Sequence, residues 1–132
     1  MGVSLYVHVP FCVVKCGYCD FNSYETPDRS VLDTYLDALS LELDMAAVPE
    51  HPPSIFIGGG TPSLFSPAAV DRLLTAIRET AECVQQIEIT LEANPGAAEV
   101  DRFVGYLEAG VNRLSLGIQS FSDNKLRALG RV

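Results

Sequence analysis

The sequence lacks the features that mark a secreted or membrane-spanning chain. No apolar run in its 132 residues approaches the roughly 20 residues that a membrane-spanning helix requires. The N-terminus has no basic patch that leads into an apolar stretch and a small-residue cleavage site, as a secretory signal would. We therefore expect a cytoplasmic protein with no membrane span, whose cysteines bind metal or perform redox chemistry rather than form disulfides.

Basic residues are also scarce. Nine Lys and Arg stand against 17 Asp and Glu, which gives a formal net charge of −8. Binding to nucleic acid depends on clustered basic side chains that neutralise phosphates, and the sequence has no such cluster. We expect no nucleic-acid partner. Hydrophobic residues make up 48% of the chain, which is enough for the core of a globular domain.

Four short apolar segments alternate with four amphipathic ones. The predicted strands are residues 4–9, 54–59, 88–93 and 113–118. A predicted helix follows each strand. The first has an apolar face of Leu32, Tyr35, Leu36, Leu39 and Leu43, and the second begins at Ser66 and Pro67 and buries Val70, Leu73, Leu74 and Ile77. The third has Val100, Phe103, Val104 and Leu107 between Gly96 and Gly110, and the fourth runs from Ser122 to Gly130. This alternation is typical of βαβ units and predicts an α/β fold with a parallel sheet.

Two architectures fit this alternation, an open doubly wound sheet and a (β/α) barrel. Dinucleotide folds of the first kind place a glycine fingerprint after their first strand, where this sequence has cysteines, so we favour the barrel. Four β/α units cannot close a barrel, because an edge strand would stay unpaired. We therefore expect residues 1–132 to be the N-terminal portion of a core domain, with the remainder of the barrel and a C-terminal domain outside this sequence.

Chemically distinctive residues follow the end of every predicted strand. They are Cys12, Cys16 and Cys19 after the first strand, Gly58, Gly59, Gly60 and Thr61 after the second, Glu92 and Asn94 at the end of the third, and Gln119 after the fourth. The carboxyl ends of the strands are where α/β barrels build their active sites. The sequence therefore predicts one shared site at this end of the sheet.

The Cys-x3-Cys-x2-Cys loop supplies three thiolates. Soft thiolates bind iron–sulfur clusters, zinc or copper(I). A closed zinc site in a small interaction domain would need a fourth ligand, from His8 or from Cys83. We expect Cys83 to be a small buried hydrophobe near the opposite end of the barrel. His8 shares a strand face with Tyr6 and could line the barrel interior, but we favour a histidine packed in the core. A four-iron cluster fits three cysteines directly, with one iron left open to a ligand that is not protein.

The cysteine loop, with Tyr18 before its last cysteine, resembles the signature of radical S-adenosylmethionine (SAM) proteins. The segments "LYVHVPFC", "KCGYCDFNSY", "IFIGGGTPSLF", "ITLEANPG", "GVNRLSLGIQSF" and "LRALGR" are similar to one subgroup of that family. This subgroup contains the oxygen-independent coproporphyrinogen III oxidases and the related haem chaperones of the HemW type. The resemblance implies that the chain forms the N-terminal four β/α units of a partial radical SAM barrel.

The resemblance also implies the residues of the site. Cys12, Cys16 and Cys19 would bind a 4Fe–4S cluster whose fourth iron binds SAM. The implied SAM contacts are Tyr6, Tyr18, Gly59, Gly60, Thr61, Glu92, Gln119 and Arg131. Glycine suits such a place because it lets backbone groups approach a ligand closely. No catalytic residue is assigned, since in this family the cofactor supplies the reactivity and the protein orients it.

Phe21 distinguishes the two subgroups. The oxidases have a further cysteine two residues after the third, where this sequence has Phe21, so the resemblance is closer to the HemW type. We therefore predict a cluster- and SAM-binding chaperone that binds haem and delivers it to acceptor proteins. The alternative is an enzyme of porphyrin and haem biosynthesis that decarboxylates coproporphyrinogen III to protoporphyrinogen IX. A homodimer of the full-length protein is a further expectation.

Overall fold

The computed structural model describes residues 2–26, 28–82 and 86–131. In chain order its elements are β1 (Leu5–Val9), β2 (Phe11–Cys12), β3 (Tyr24–Glu25), α1 (Arg29–Met45), β4 (Ser54–Gly59), a 3-10 turn (Pro62–Leu64), α2 (Pro67–Thr80), β5 (Glu88–Ala93), α3 (Ala97–Ala109), β6 (Arg113–Leu116) and α4 (Asp123–Ala128). Within these ranges no helix has both the length and the apolar character that a membrane span requires.

The strands β1, β4, β5 and β6 form one parallel sheet in that order. Each β/α unit adds its strand beside the preceding one, so the order never reverses as it does in a doubly wound sheet. The register aligns Val7, Ile57, Leu91 and Leu114 in a row across all four strands. The predicted α/β class with a parallel sheet is confirmed, and the strand order is that of a barrel.

The core lies between one face of this sheet and the helices α1, α2 and α3. Its largest fully buried side chains include Ile55, Ile57 and Leu91 from the strands, Leu36 from α1, Leu73, Leu74 and Ile77 from α2, and Tyr106 from α3. Each fully buried aliphatic side chain stabilises the fold by about 1.5–3 kcal/mol relative to an exposed one. The alternation along the strands leaves Tyr6, His8, Phe56 and Glu92 on the opposite face.

The start of α2 follows the predicted capping pattern. Ser66 is the N-cap, and its side chain accepts a hydrogen bond from the backbone N–H of Ala69 at 3.2 Å. Pro67 occupies the first turn, where its missing N–H costs no hydrogen bond. The cap lies at the end of the connection that leads from β4 into α2.

The predicted apolar face of α3 was wrong at three positions. Val100, Val104 and Leu107 are exposed, and Tyr106 is buried in their place. The Tyr106 hydroxyl shares its single proton between the carbonyl oxygens of Ser63, at 3.0 Å, and Phe65, at 2.7 Å. These bonds to the segment after β4 select the face that α3 turns inward. The helical period alone did not distinguish this face from its neighbour.

Two very short strands were not predicted. Phe11 pairs in parallel with Tyr24, and Cys12 pairs with Glu25. The flanking bonds run from the Tyr24 N–H to the Pro10 carbonyl at 2.7 Å and from the Thr26 N–H to the Cys12 carbonyl at 3.0 Å. Pairs of two residues have no detectable period in the sequence. Their effect is to join the two ends of the cysteine loop beside the end of β1.

Candidate functional site

A cleft opens at the carboxyl ends of the four sheet strands. Its lining consists of Cys12, Val14, Cys16, Tyr18, Cys19 and Phe21 from the cysteine loop, Gly59, Gly60 and Thr61 from the end of β4 and the glycine turn that follows, Glu92, Ala93 and Asn94 at the end of β5, Ser115, Leu116 and Gly117 at the end of β6, and Gln119 and Arg131. Ten of the eleven predicted site residues therefore meet in one place, as parallel strands require.

Hydrogen bonds of its own backbone and of Lys15 fix the conformation of the cysteine loop. The N–H of Cys19 donates to the Cys16 carbonyl at 3.0 Å, which forms a tight turn between them. The backbone N–H of Lys15 donates to Glu25 Oε1 at 2.9 Å, and its Nζ reaches the Ser23 carbonyl at 3.3 Å. All three loop cysteines are free thiols and are half-buried. The loop thus presents three thiols to the cleft without a disulfide.

The spacing of these thiols fits a cluster better than a single ion. In the described part of the chain, the one group of three metal-binding residues whose ligand atoms lie within 4.8 Å of one another is Glu50, His51 and Glu82, all exposed. The three cysteine sulfurs are therefore spread more widely. Tetrahedral zinc, with Zn–S bonds of about 2.3 Å, holds its sulfurs within about 4 Å of each other. Thiolates that bind separate irons of a cluster need no such proximity.

His8 is not available as a fourth ligand. Its Nε2 lies 2.9 Å from the Asn22 carbonyl, and its Nδ1 lies 2.9 Å from the Tyr6 hydroxyl. A carbonyl can only accept, so Nε2 carries the proton and Nδ1 accepts from Tyr6. The histidine is half-buried on the sheet face opposite the helices. The favoured expectation, a histidine packed in the core, was therefore wrong. Cys83, the other candidate, lies outside the described residues.

Tyr6 is the one predicted site residue that does not line the cleft, although it is described. Its ring stacks on Phe56, with ring centroids 6.1 Å apart and an interplanar angle of 26°. Burial raises the pKa of the Tyr6 phenol, and the negative charge of Glu92 raises it further. Tyr6 therefore lies below the cleft on the same sheet face. Its link to the site is its bond to His8 and its electrostatic contact with Glu92.

The glycine turn after β4 packs directly on the cysteine loop. The N–H of Gly60 donates to the Val9 carbonyl, and the N–H of Thr61 donates to the Phe11 carbonyl, each at 2.7 Å. A Cβ on Gly60 would lie 2.6 Å from the Phe11 carbonyl oxygen and 2.9 Å from Cys12 Sγ. No side chain fits there. The glycine is needed for the turn to pack on Cys12.

Gly59 serves a second requirement of this turn. Its φ is +119°, a left-handed value that residues with a side chain rarely adopt. Its N–H donates to Glu92 Oε2 at 3.0 Å, which anchors the carboxylate at the end of β5. Gln119 also has a positive φ, of 64°. Such strained non-glycine residues cluster at functional sites, and Gln119 lines this cleft.

Arg131 crosses the cleft and joins three of its walls. Its Nη2 donates to Asn94 Oδ1 at 2.9 Å and to the Gly117 carbonyl at 2.7 Å. Its Nη1 donates to the Tyr18 hydroxyl at 3.1 Å and to Cys16 Sγ at 3.7 Å. Burial alone would lower the pKa of Arg131, but the bonds to Tyr18 and Cys16 raise it above its usual value. The site therefore contains a permanent positive charge beside a thiol.

Among the lining residues that were not predicted as cluster or SAM contacts are Asn94, Ser115 and Gly117. Asn94 was recognised at the end of a strand but was given no partner. Ser115 and Gly117 were missed because the fourth strand was predicted to reach residue 118, whereas β6 ends at Leu116. With the correct strand end, their position at the carboxyl edge of the sheet would have indicated the site.

Comparison with known proteins agrees with this geometry. A family model described as the radical SAM superfamily matches residues 6–132. The chain belongs to the radical SAM superfamily. The heme chaperone HemW of Escherichia coli K12 is 50% identical over 133 residues, which cover 98% of this chain and 35% of that protein. The mitochondrial radical S-adenosyl methionine domain-containing protein 1 of Bos taurus is 42% identical over 98% of this chain and 30% of that protein.

A solved structure is also similar. It is titled "Coproporphyrinogen III oxidase (HemN) from Escherichia coli is a Radical SAM enzyme", and it matches with a TM-score of 0.91 and 35% identity over 99% of this chain and 31% of that chain. The predicted family and the partial radical SAM barrel are thereby confirmed. This chain spans about a third of the length of these relatives. Membership of the superfamily implies a 4Fe–4S cluster and SAM as cofactors.

Proposed function

We propose that this chain is part of a haem chaperone of the HemW type, which binds a 4Fe–4S cluster and SAM, binds haem, and delivers it to acceptor proteins. The observation that carries the proposal is the convergence of the three half-buried cysteines with the glycine turn in one cleft. We also propose that residues 1–132 form the N-terminal portion of the radical SAM core domain and that the protein is cytoplasmic.

The residues of the cysteine loop fit an iron–sulfur cluster. Cys12, Cys16 and Cys19 would hold it, since thiolates are the usual ligands of such clusters. Gly60, which has no side chain, lets the turn pack closely on Cys12 Sγ, and Arg131 places a positive charge beside Cys16, which suits a negatively charged ligand at this loop. When bound, the cluster supplies a low-potential electron, and SAM supplies the sulfonium that can accept it.

The rest of the cleft fits SAM. Gly59, Gly60 and Thr61 would approach it with backbone groups, while Glu92 and Gln119 would contact it with side chains from the ends of β5 and β6. Tyr18 and Arg131 would close the cleft on the side of the cysteine loop. Tyr6, which lies below the cleft, stays a predicted contact of SAM. In this arrangement the protein would bind and orient the cofactor.

The chaperone is preferred to the oxidase because of one position and the names of the relatives. Phe21 is 66% exposed and lines the cleft, at the position where the oxidases have their additional cysteine. Relatives from Escherichia coli and Haemophilus influenzae, which are 50% and 47% identical, are both named heme chaperone HemW. The oxidase remains the second candidate, because the solved structure with a TM-score of 0.91 is titled as one.

Anaerobic reconstitution of the full-length protein with iron and sulfide separates these functions. We expect about four irons per chain, a shift of the haem absorption band when haem is added, and no carbon dioxide from coproporphyrinogen III with SAM and a low-potential reductant. Release of carbon dioxide and a divinyl product would contradict the chaperone and support the oxidase. A wild-type chain that takes up no iron would overturn both. The variant Cys16→Ala is the matched control, because it should lose the cluster in the same assay.

A further inference from the structure

A line of hydrogen bonds connects Arg131 to the thiol of Cys12. Arg131 Nη2 donates to Asn94 Oδ1 at 2.9 Å, Asn94 Nδ2 donates to Thr61 Oγ1 at 3.4 Å, and Thr61 Oγ1 donates to Cys12 Sγ at 3.5 Å. The other end of Arg131 reaches Cys16 Sγ. Two of the three loop cysteines are thus joined by a polar path through Asn94, a residue that no resemblance assigned.

The direction of every bond in this line follows from the chemistry of the groups. A guanidinium has only donors, so it must face the amide oxygen of Asn94. The amide nitrogen of Asn94 is then the atom that faces Thr61, and it donates a hydrogen bond to the hydroxyl oxygen, which acts as the acceptor. The hydroxyl has a single proton, which is left to point at Cys12. The charge of Arg131 thereby sets the orientation of a hydroxyl that it does not contact.

The surroundings of Thr61 keep this orientation in place. Its side chain is buried, with 7% of its surface exposed, so water offers few alternative partners. Its backbone N–H is bound to the Phe11 carbonyl at 2.7 Å, which holds the residue against the cysteine loop. Gly60, with no Cβ, allows Cys12 to approach closely enough for the hydroxyl to reach its sulfur.

We propose that Asn94 is a positioning residue that directs the Thr61 hydroxyl at the sulfur of Cys12 and thereby raises the reduction potential of the cluster. This inference rests on the proposed function, because it needs the cluster to be bound there. Hydrogen bonds to the sulfurs tune the potential of iron–sulfur clusters, and groups in contact with metal ligands tune the metal. The reduced cluster has one more negative charge, so a donor stabilises it more than the oxidised cluster.

Four variants separate the hydroxyl from other effects. Thr61→Val removes the donor at nearly constant shape, and Thr61→Ser keeps it. Asn94→Asp is isosteric and still accepts from Arg131, but its second oxygen also accepts, so the Thr61 proton turns away from Cys12. Ser115→Asp adds the same charge to the cleft lining at a side chain that has no place in the line of bonds.

The measurement is a redox titration of the full chain after anaerobic reconstitution, monitored by the electron paramagnetic resonance signal of the reduced cluster. For Thr61→Val and Asn94→Asp we expect about a tenfold fall in the equilibrium constant of reduction, which is about 59 mV for one electron. Thr61→Ser should retain the wild-type potential. In the double variant Thr61→Val/Asn94→Asp, the fall in reduction potential should be smaller than the sum of the two single falls, because both substitutions remove the same donor.

Several results would overturn the inference. A Thr61→Val chain with a full complement of iron and the wild-type potential would do so, as would fully additive effects in the double variant. If Thr61→Val binds no cluster, the comparison of Asn94→Asp with Ser115→Asp tests the inference instead. An equal fall in reduction potential in both variants would show that the added negative charge alone causes it. A wild-type chain without a cluster would instead overturn the proposed function on which the inference depends.

Discussion

The backbone N–H of Gly59 donates a hydrogen bond to Glu92 Oε2 at 3.0 Å. This bond joins the last residue of β4 to the carboxyl end of β5, two positions that are 33 residues apart. It points the carboxylate into the cleft and fixes the left-handed glycine at the same time. A single bond thus couples two of the predicted SAM-binding segments.

Glu92→Gln should weaken SAM binding about tenfold or more, because a hydrogen bond to a charged group contributes about 1.5–3 kcal/mol and the amide lacks the charge. Isothermal titration calorimetry of the reconstituted chain with SAM would measure this loss. Glu88→Gln is the matched control: it lies at the other end of β5 and pairs with Arg113 at the surface. Equal losses in the two variants would argue against a role for Glu92 at the ligand.

Gly60→Ala should reduce cluster uptake and destabilise the fold, because the new Cβ would meet the Phe11 carbonyl oxygen at 2.6 Å and Cys12 Sγ at 2.9 Å. Backbone contacts of this kind cannot relax without moving the cysteine loop. Iron content and thermal unfolding of the purified variant would report both effects. Gly96→Ala provides the control, since nothing lies within 4 Å of that site. Full iron content in Gly60→Ala would contradict the close packing described above.

Among the four cysteines of the sequence, we expect only three to matter for the cluster. Cys12→Ala or Cys19→Ala should abolish the visible absorption of the reconstituted cluster, because a thiolate ligand is missing. Cys83→Ala should retain it, since the sequence predicts a small buried hydrophobe there. A chain that loses the absorption only when Cys83 is replaced as well would point to a different ligand set.

Tyr106→Phe should lower the free energy of unfolding by about 1–3 kcal/mol, because a buried hydroxyl that bonds two carbonyls is removed. The carbonyls are those of Ser63 and Phe65, both in the connection that leads from the glycine turn into α2. Urea unfolding followed by circular dichroism would measure the difference. Tyr24→Phe, at a side chain that is 60% exposed, should change stability by less than about 0.5 kcal/mol.

Asp28 should make a contribution to stability that depends on pH. Bonds from Ser30 to its carboxylate lower the pKa of Asp28, so the charged form is favoured in the fold. This contribution is therefore fully present above the usual aspartate pKa of about 3.9 and is lost as the pH falls through the lower folded value. Asp28→Asn also caps α1 but does not titrate.

Thermal unfolding of both chains between pH 7 and pH 2.5 would test the role of Asp28. The difference in melting temperature between the wild type and Asp28→Asn should stay constant down to about pH 4 and change below it, as the wild type loses its charged cap. A difference that does not vary with pH would show that the Asp28 charge contributes nothing to the fold.

Much of the architecture was accessible from local pattern. The strand pattern predicted β4 and β5 with their observed bounds, and Ser66 with Pro67 marked the start of α2. Parallel topology then required the strand ends to meet, which brought the three cysteines, Gly60 and Gln119 to one cleft. These features depend on period, capping and chain direction, all of which are local or topological properties of the sequence.

The sequence by itself therefore determined the α/β class, the family and ten of the residues that line the cleft, because residue type and spacing encode them. Only the tertiary structure decided which face α3 buries, that Tyr6 lies below the cleft, and that Asn94 links Arg131 to Thr61. Each of these depends on distances between segments that are far apart in the chain. A hydrogen bond is made or lost within about half an ångström, a difference that no local pattern of residue types can record.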